Sequence, residues 1–269
     1  MGKQYHFLSG LYRSGNTLLS AILNQNKQIY VSSLSPVNEY MWQCFSASQY
    51  NENAILNSNK DRDKKFISSI LSTYYSDIEK PIIFDRSKSW MTPDNVDMIK
   101  NFVGTESKII FTIRPIAECV ASLINIDKEN LLDEMEMQDF VTDNSISEND
   151  NLVNYMISYH PLFNLNNFAH AVYELYKNKN FIHIVRYEDL TNDTYNTLDK
   201  IYNFLQLERY NHDLTNIQSL DFYNYKNVKV LPNMHDIRKN ISKSFTDPTK
   251  IISEESIKKC NKYDLFYYF

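Results

Sequence analysis

Residues 10–17 read Gly-Leu-Tyr-Arg-Ser-Gly-Asn-Thr. Gly10 and Gly15 have the spacing of a nucleotide phosphate-binding loop, G-x-x-x-x-G-K-[ST], and Thr17 takes its hydroxyl position. The lysine is missing. Asn16 stands in its place, and Arg13 has entered the loop instead. In a nucleoside-triphosphate site that lysine reaches the β- and γ-phosphates, so ATP chemistry is poorly supported here. An anion site is still expected. The backbone N–H groups of Ser14, Gly15, Asn16 and Thr17 open a helix, where unsatisfied donors attract negative charge. The competing reading is a tight strand-to-helix turn that binds nothing. Against it, the chain has only four glycines and spends two of them on this loop. Asp85, closing the run PIIFD (81–85), offers a carboxylate for magnesium, although an aspartate at a strand end is common.

The elements that must position this loop are legible. Residues 6–9 form a short apolar run, and Leu18, Leu19, Ala21, Ile22 and Leu23 then share one helical face, so strand, loop and helix follow in order. Further buried-strand runs are IYVSSL (29–34), PIIFD (81–85), KIIFTIR (108–114) and FIHIVRYEDL (181–190). Helices are expected at 37–48, 66–78, 93–102, from Pro115 onward, at 152–177 and at 191–207. Thr92 is a candidate N-cap before Pro93, and Thr191 or Asp193 before the last helix. The polar segment 49–65 reads as a loop. Residues 127–150 are strongly acidic and read as an insertion made of an exposed helix plus a loop. Alternating strands and helices favour a parallel sheet covered on both faces.

Composition bounds the function. The chain has 269 residues, 43% of them hydrophobic and 14% aromatic, enough for a sizeable core in one domain spanning 1–269. Its formal net charge is −5, which argues against a chain-wide surface for duplex nucleic acid but allows a local basic pocket. Cys44, Cys119 and Cys260 are odd in number and widely spaced, so a disulfide framework is not expected and a reducing, cytoplasmic setting is. No signal-peptide pattern, membrane-spanning run or myristoylation motif is evident, His6 standing where the last needs Ser or Thr.

At this point the residues resemble a family. GLYRSGNTLLSAILNQN is similar to the 5′-phosphosulfate loop of sulfotransferases that use PAPS (3′-phosphoadenosine 5′-phosphosulfate). The nearest form is the P-R-S-G-[ST]-T pattern of tyrosylprotein sulfotransferases and their bacterial and viral relatives. Arg13, Ser14, Gly15 and Thr17 match; Tyr12 replaces the proline and Asn16 the first hydroxyl residue. IIFTIRPIAECVASL resembles the family's 3′-phosphate segment, which implies that Arg114 and Ser122 hold that phosphate. VRYEDL resembles a strand end whose tyrosine, here Tyr187, can approach the adenine. The three motifs run in family order from residue 5 to 207.

The resemblance implies a three-layer, P-loop-like α/β fold with a central, mainly parallel sheet and helices on both faces. It implies PAPS as sulfuryl donor, no metal, and in-line transfer to a hydroxyl or amine of a small-molecule, carbohydrate or peptide acceptor. The protein must then stabilise charge growing on the oxygen that bridges sulfur and the 5′-phosphate. Arg13 is placed to do so. Lys88, in DRSKSW, resembles a second family cation, or is a solvated loop lysine. A general base is needed for the acceptor's proton. Glu39, the only carboxylate between the loop and Glu52, is the candidate; a dipole-favoured helix-start glutamate is the bland alternative. His183 reads as core, and His235 as a weaker base candidate. Arg238, Lys239, Lys243 and Ser244 form a late basic cluster that could close over the phosphates. Two rivals remain open: a P-loop kinase or NTPase with a relocated lysine, and a nucleotide-binding module without catalysis.

Overall fold

The structure, a computed structural model, describes residues 2–218, 239–241 and 246–267. Five strands make one sheet: β1 (Gln4–Gly10), β2 (Ile29–Val31), β3 (Ile82–Arg86), β4 (Ile109–Ile113) and β5 (Ile182–Arg186). Their order is β2-β3-β1-β4-β5 and every neighbouring pair is parallel. The sheet is thus wholly parallel among the described residues. Its strands are apolar at successive positions because both faces are covered. Phe7, Ile83 and Phe111 face one buried cluster, while Leu8, Phe84 and Ile110 face another.

The first cluster is closed by α2 (Val37–Tyr50), α4 (Lys60–Tyr74), α5 (Pro93–Met98), α6 (Ile116–Met137), α7 (Glu148–Tyr159) and α8 (Pro161–Tyr176). The second is closed by α1 (Asn16–Leu23), α9 (Tyr187–Asn192) and α10 (Thr194–Leu205). Two further helices are α3 (Glu52–Asn57) and α11 (Glu254–Asn261). The layers are those the sequence leads one to expect.

Several local expectations need correction. The segment 49–65 is not a loop, for α3 and the start of α4 lie in it. Its asparagines are helix caps: Asn51 Oδ1 accepts from the Ala54 N–H at 3.0 Å, and Asn59 Oδ1 from the Arg62 N–H at 3.1 Å. The 152–177 helix is two helices. It breaks at His160, extended at φ −74°, ψ 134°, because Pro161 disfavours helical geometry in the residue before it. The last strand stops at Arg186, and Tyr-Glu-Asp-Leu turns at once into α9. Asp193 does sit at the N-cap of α10, but its carboxylate accepts from the Asn196 side chain rather than capping the backbone. Thr92 likewise turns its hydroxyl to the Ser89 carbonyl. Within the acidic segment, α6 runs on to Met137 past a kink at Asp127 (φ −135°, ψ 20°), and α7 begins at Glu148.

β1 is the central strand, flanked by β3 and β4. Its register, Leu8 opposite Arg86 and Gly10 opposite Thr112, brings three strand ends to one edge. In open parallel sheets ligands bind at that carboxyl edge, beside the central strands.

Candidate active site

The loop after β1 is shaped by close approach and backbone geometry. A Cβ on Gly10 would stand 2.0 Å from Thr112 Oγ1, so only glycine lets the loop cross β4. Gly15 is the N-cap of α1 at φ 91°, a left-handed conformation that side chains resist. A Cβ there would also stand 2.8 Å from the Tyr187 ring. Arg13 adopts φ 60°, the same region without glycine's freedom. The first N–H groups of α1 have no intrahelical acceptor, as at any helix start.

Asn16, in the lysine position, is a fastener. With its amide turned to satisfy both partners, the nitrogen donates to the Ser9 carbonyl at 3.0 Å and the oxygen accepts from the Gly10 N–H at 3.1 Å. Ser14 is likewise spent on the loop. Its hydroxyl donates to the Leu11 carbonyl at 2.6 Å and lies 2.6 Å from Thr112 Oγ1.

Arginines crowd the concavity. Arg13 Nε donates to Ser122 Oγ at 3.3 Å, across 109 residues of sequence. Arg114 Nη1 donates to the Arg13 carbonyl at 3.2 Å, while its Nε pairs with Glu118 at 2.9 Å. The Arg114 guanidinium lies over the Tyr187 ring, 4.5 Å from its centroid. Burial, and then the nearby Arg114 charge, lower the proton affinity of Arg13. Two guanidiniums held this close favour an anion between them. The loop residues, Arg114, Ser122 and Tyr187 therefore meet as the motif order implied. Tyr187, 5% exposed, packs beneath Gly15 and Arg114.

Two residues that sequence reasoning missed complete the cluster. Arg86, 5% exposed, donates from Nη2 to Thr17 Oγ1 at 2.9 Å. A signal was present: IIFDR86, IIFTIR114 and FIHIVR186 each place arginine at the carboxyl end of a parallel strand. His160 is the other. Its Nδ1 accepts from the Leu162 N–H at 3.2 Å, and its ring meets Tyr12 edge-on at 5.0 Å. Burial, and then the Lys88 charge, push it down to about 4.

Lys88 belongs to a short 3-10 turn, Lys88–Met91, which packs on β1 and α8. Its carbonyl accepts from Ser9 Oγ at 2.6 Å. The turn is anchored by Asp85, which is 1% exposed and accepts from Trp90 Nε1 at 2.7 Å and from the Tyr75 hydroxyl at 2.6 Å. Burial raises Asp85, and those donors hold it as a structural acceptor. Its carboxylate is thus spent inside the fold. The Lys88 amine rests on the face of Tyr12, 3.3 Å from the ring centroid.

The remaining candidates either show no described contact with the loop or lie outside the described residues. Glu39 is exposed on α2, where Gln43 Nε2 donates to its carboxylate at 2.6 Å; none of its described contacts reaches the loop. His183 is half-buried rather than in the core, and stacks on Phe204 at 5.1 Å. Lys239 is exposed, its carbonyl accepting from the Ile217 N–H at 2.8 Å. His235, Arg238, Lys243 and Ser244 lie outside the described residues. Among the described residues no group of three or more His, Cys, Asp or Glu side chains gathers to hold a metal.

Fold and site together define a three-layer α/β protein whose central strand opens into an arginine-lined loop at a helix start. The chain belongs to the sulfotransferase family, whose model matches residues 6–212. No curated protein matches it in sequence. Among solved structures it is similar to the sulfotransferase domain from the Synechococcus PCC 7002 olefin synthase, with 16% identity and a TM-score of 0.56, covering 100% of this chain and 96% of that one. It is also similar to mouse sulfotransferase SULT7A1 complexed with PAP, at 12% identity and TM-score 0.53, covering 97% and 83%. Retinol dehydratase in complex with retinol and PAP gives 14% identity and TM-score 0.50, covering 100% and 82%. At these identities the likeness is one of fold.

Proposed function

We propose that the protein transfers a sulfuryl group from PAPS to a hydroxyl or amine acceptor, releasing adenosine 3′,5′-bisphosphate. The observation that carries this reading is the junction of Arg13 with Ser122 and Arg114. It joins the loop suited to a 5′-phosphosulfate to the segment suited to a 3′-phosphate, more than a hundred residues apart in sequence. Two solved structures of the same fold are complexes with PAP, which supports the choice of nucleotide.

The site fits such a donor on its own terms. The helix start and Arg13 receive the 5′-phosphosulfate, Arg86 braces Thr17 beside them, and Arg114 with Ser122 takes the 3′-phosphate. PAPS supplies the activated sulfuryl group. Arg13 and Arg86 are pre-set where charge grows on the leaving phosphate oxygen, which a low-dielectric pocket makes effective. Tyr187 and Glu118 hold Arg114 in place.

A kinase or NTPase reading is less well supported. Asn16 occupies the lysine position and is committed to Ser9 and Gly10. Asp85, the magnesium candidate, is committed to Tyr75 and Trp90. Calorimetry separates the readings. Adenosine 3′,5′-bisphosphate should bind at micromolar or tighter concentrations without magnesium, and Mg-ATP should not compete. Preference for Mg-ATP would overturn the proposal. Binding without PAPS turnover across alcohols, phenols and amines would favour a module that only binds nucleotide.

A further inference from the structure

We infer that Asp264 is a positioning residue for the 3′-phosphate: across 148 residues of sequence it caps the helix that carries Glu118 and Ser122, and through them it sets Arg114. The inference rests on the sulfuryl-transfer reading and deepens it by naming what holds the second phosphate site in shape.

The start of α6 has no cap of its own. Pro115 stands at the N-cap with no side-chain oxygen to offer, and Ile116, the first helical residue, is 1% exposed. A buried helix-start N–H left without a partner costs about 1–3 kcal/mol. Asp264 supplies the acceptor: its Oδ1 takes the Ile116 N–H at 2.6 Å. That bond is two residues from Arg114 and two from Glu118, whose carboxylate accepts from Arg114 Nε at 2.9 Å. Further along the same helix, Ser122 Oγ accepts from Arg13 Nε at 3.3 Å. A shift of the helix start would therefore move partners of both guanidiniums.

Asp264 is itself held from several sides. The Tyr263 carbonyl accepts from Asn166 Nδ2 at 2.8 Å, and the Asp264 carbonyl from the Tyr267 N–H at 2.9 Å. Phe266, 9% exposed, packs on Phe111 of β4 with ring centroids 5.7 Å apart. A second bond from the same segment reaches the other side of Arg114. The Tyr267 hydroxyl donates to Glu188 Oε2 at 3.2 Å, beside Tyr187, whose ring lies against the Arg114 guanidinium. One short segment thus grips both elements that flank Arg114, α6 and α9. It lies beyond residue 212, where the family match ends, and outside all three motifs.

For the ligand, the hydrogen bond is favourable and the charge is not. A negative charge at a helix start favours the helix. Glu118 and Glu188 already act on Asp264, however, and a 3′-phosphate beside Arg114 brings more negative charge. Burial raises the carboxyl, the Ile116 N–H draws it back, and the two glutamates add to the rise, which leaves it at about 6. An acceptor of the same shape without the charge should therefore serve the nucleotide as well or better. Asparagine is that acceptor, and alanine removes it.

Calorimetry with adenosine 3′,5′-bisphosphate and with adenosine 5′-monophosphate reads 3′-phosphate recognition as a ratio of affinities. A general loss of stability leaves that ratio unmoved, because both affinities scale with the folded fraction. Asp264→Ala should lower the ratio about tenfold or more, with monophosphate affinity within about threefold of wild type. Asp264→Ser, whose shorter side chain lets water reach the Ile116 N–H, is the second loss variant should alanine not fold, and the same fall is expected. Asp264→Asn should hold the ratio at or above the wild-type value. Phosphorus NMR of the bound bisphosphate gives an independent readout: in a loss variant the 3′-phosphate signal should move toward its free position while the 5′-phosphate signal stays. An unchanged ratio in a folded loss variant overturns the inference and leaves Asp264 a stabilising cap alone. A fall in Asp264→Asn as large as in Asp264→Ala shows that the charge matters rather than the bond, and overturns it too. A wild type with no preference for the bisphosphate would instead overturn the sulfotransferase reading, before any variant is compared.

Discussion

Replacing Asn16 by alanine tests whether this residue fastens the loop or touches the ligand. Asn16 is 9% exposed and ties α1 back to β1 through the Ser9 carbonyl and the Gly10 N–H. Its removal forfeits the bond to Ser9, worth about 1 kcal/mol net, and strands the Gly10 N–H, which costs about 1–3 kcal/mol when buried. Alanine's better helix propensity returns roughly 0.5 kcal/mol. The expected loss is therefore about 1.5–3.5 kcal/mol. At about 2–4 °C per kcal/mol for a chain of this size, the thermal midpoint should fall by roughly 3–14 °C. Differential scanning calorimetry, without and with saturating adenosine 3′,5′-bisphosphate, reads both effects. The unliganded midpoint should drop, while the ligand-induced rise should persist if Asn16 only fastens the loop. Asn16→Lys, which restores the nucleotide-kinase pattern, should be at least as destabilised and should gain no Mg-ATP binding. An Asn16→Ala protein of wild-type stability would refute the fastening argument. An Asn16→Lys protein that binds Mg-ATP would refute the reason given for setting ATP aside.

Gly15→Ala places a side chain in left-handed geometry, costing about 1–2 kcal/mol, and drives a methyl against Tyr187; bisphosphate affinity by calorimetry should fall tenfold or more, and unchanged affinity would show that Tyr187 yields freely. Arg114→Ala should erase most of the preference for adenosine 3′,5′-bisphosphate over adenosine 5′-monophosphate, on the order of tenfold to a hundredfold for a lost charge-assisted contact; an unchanged ratio would remove the 3′-phosphate assignment. Burial alone would raise Asp150, but donors from Ser147, Ser256 and Ser253 outweigh it and bring the carboxyl down to about 2. A depressed carboxyl stabilises above its unfolded value of about 3.9, and that contribution is lost as pH falls through the folded one. Urea unfolding should therefore show Asp150→Ala less stable than wild type at pH 6, with the gap narrowing from about pH 4 toward 2; a gap independent of pH would refute the link between α7 and the α11 segment.

Much of the fold could be read because its signals are local. Apolar runs of strand length, a glycine-bounded turn and a helical stripe are properties of neighbouring residues, and the parallel sheet follows from their alternation. The misreadings share a cause as well. Asn51 and Asn59 look like loop residues until their N-cap bonds are seen, and Pro161 looks like one residue in an apolar helix until it ends one. Gly10, Arg13, Gly15 and Thr17 were recognisable from type and spacing, since the constraints on a tight anion-binding turn lie within eight residues.

Arg86 and Lys88 show where that ends. Two residues apart in DRSKSW, either could serve as the second cation. Their division of labour depends on the β1–β3 register, which sets Arg86 opposite Leu8 and lets it reach Thr17. It depends equally on the buried Asp85–Trp90 bond, which fixes the turn that lays Lys88 on Tyr12. Those contacts join β1, β3 and the helices above them. Sequence spacing therefore determined that a glycine-bounded loop leads into a helix and what stands in it. Only the packing of the sheet decided which cation reaches Thr17, which amine lies on the Tyr12 ring, and that Glu39 faces outward. Burial and long-range register set those fates, and neither is a property of adjacent residues.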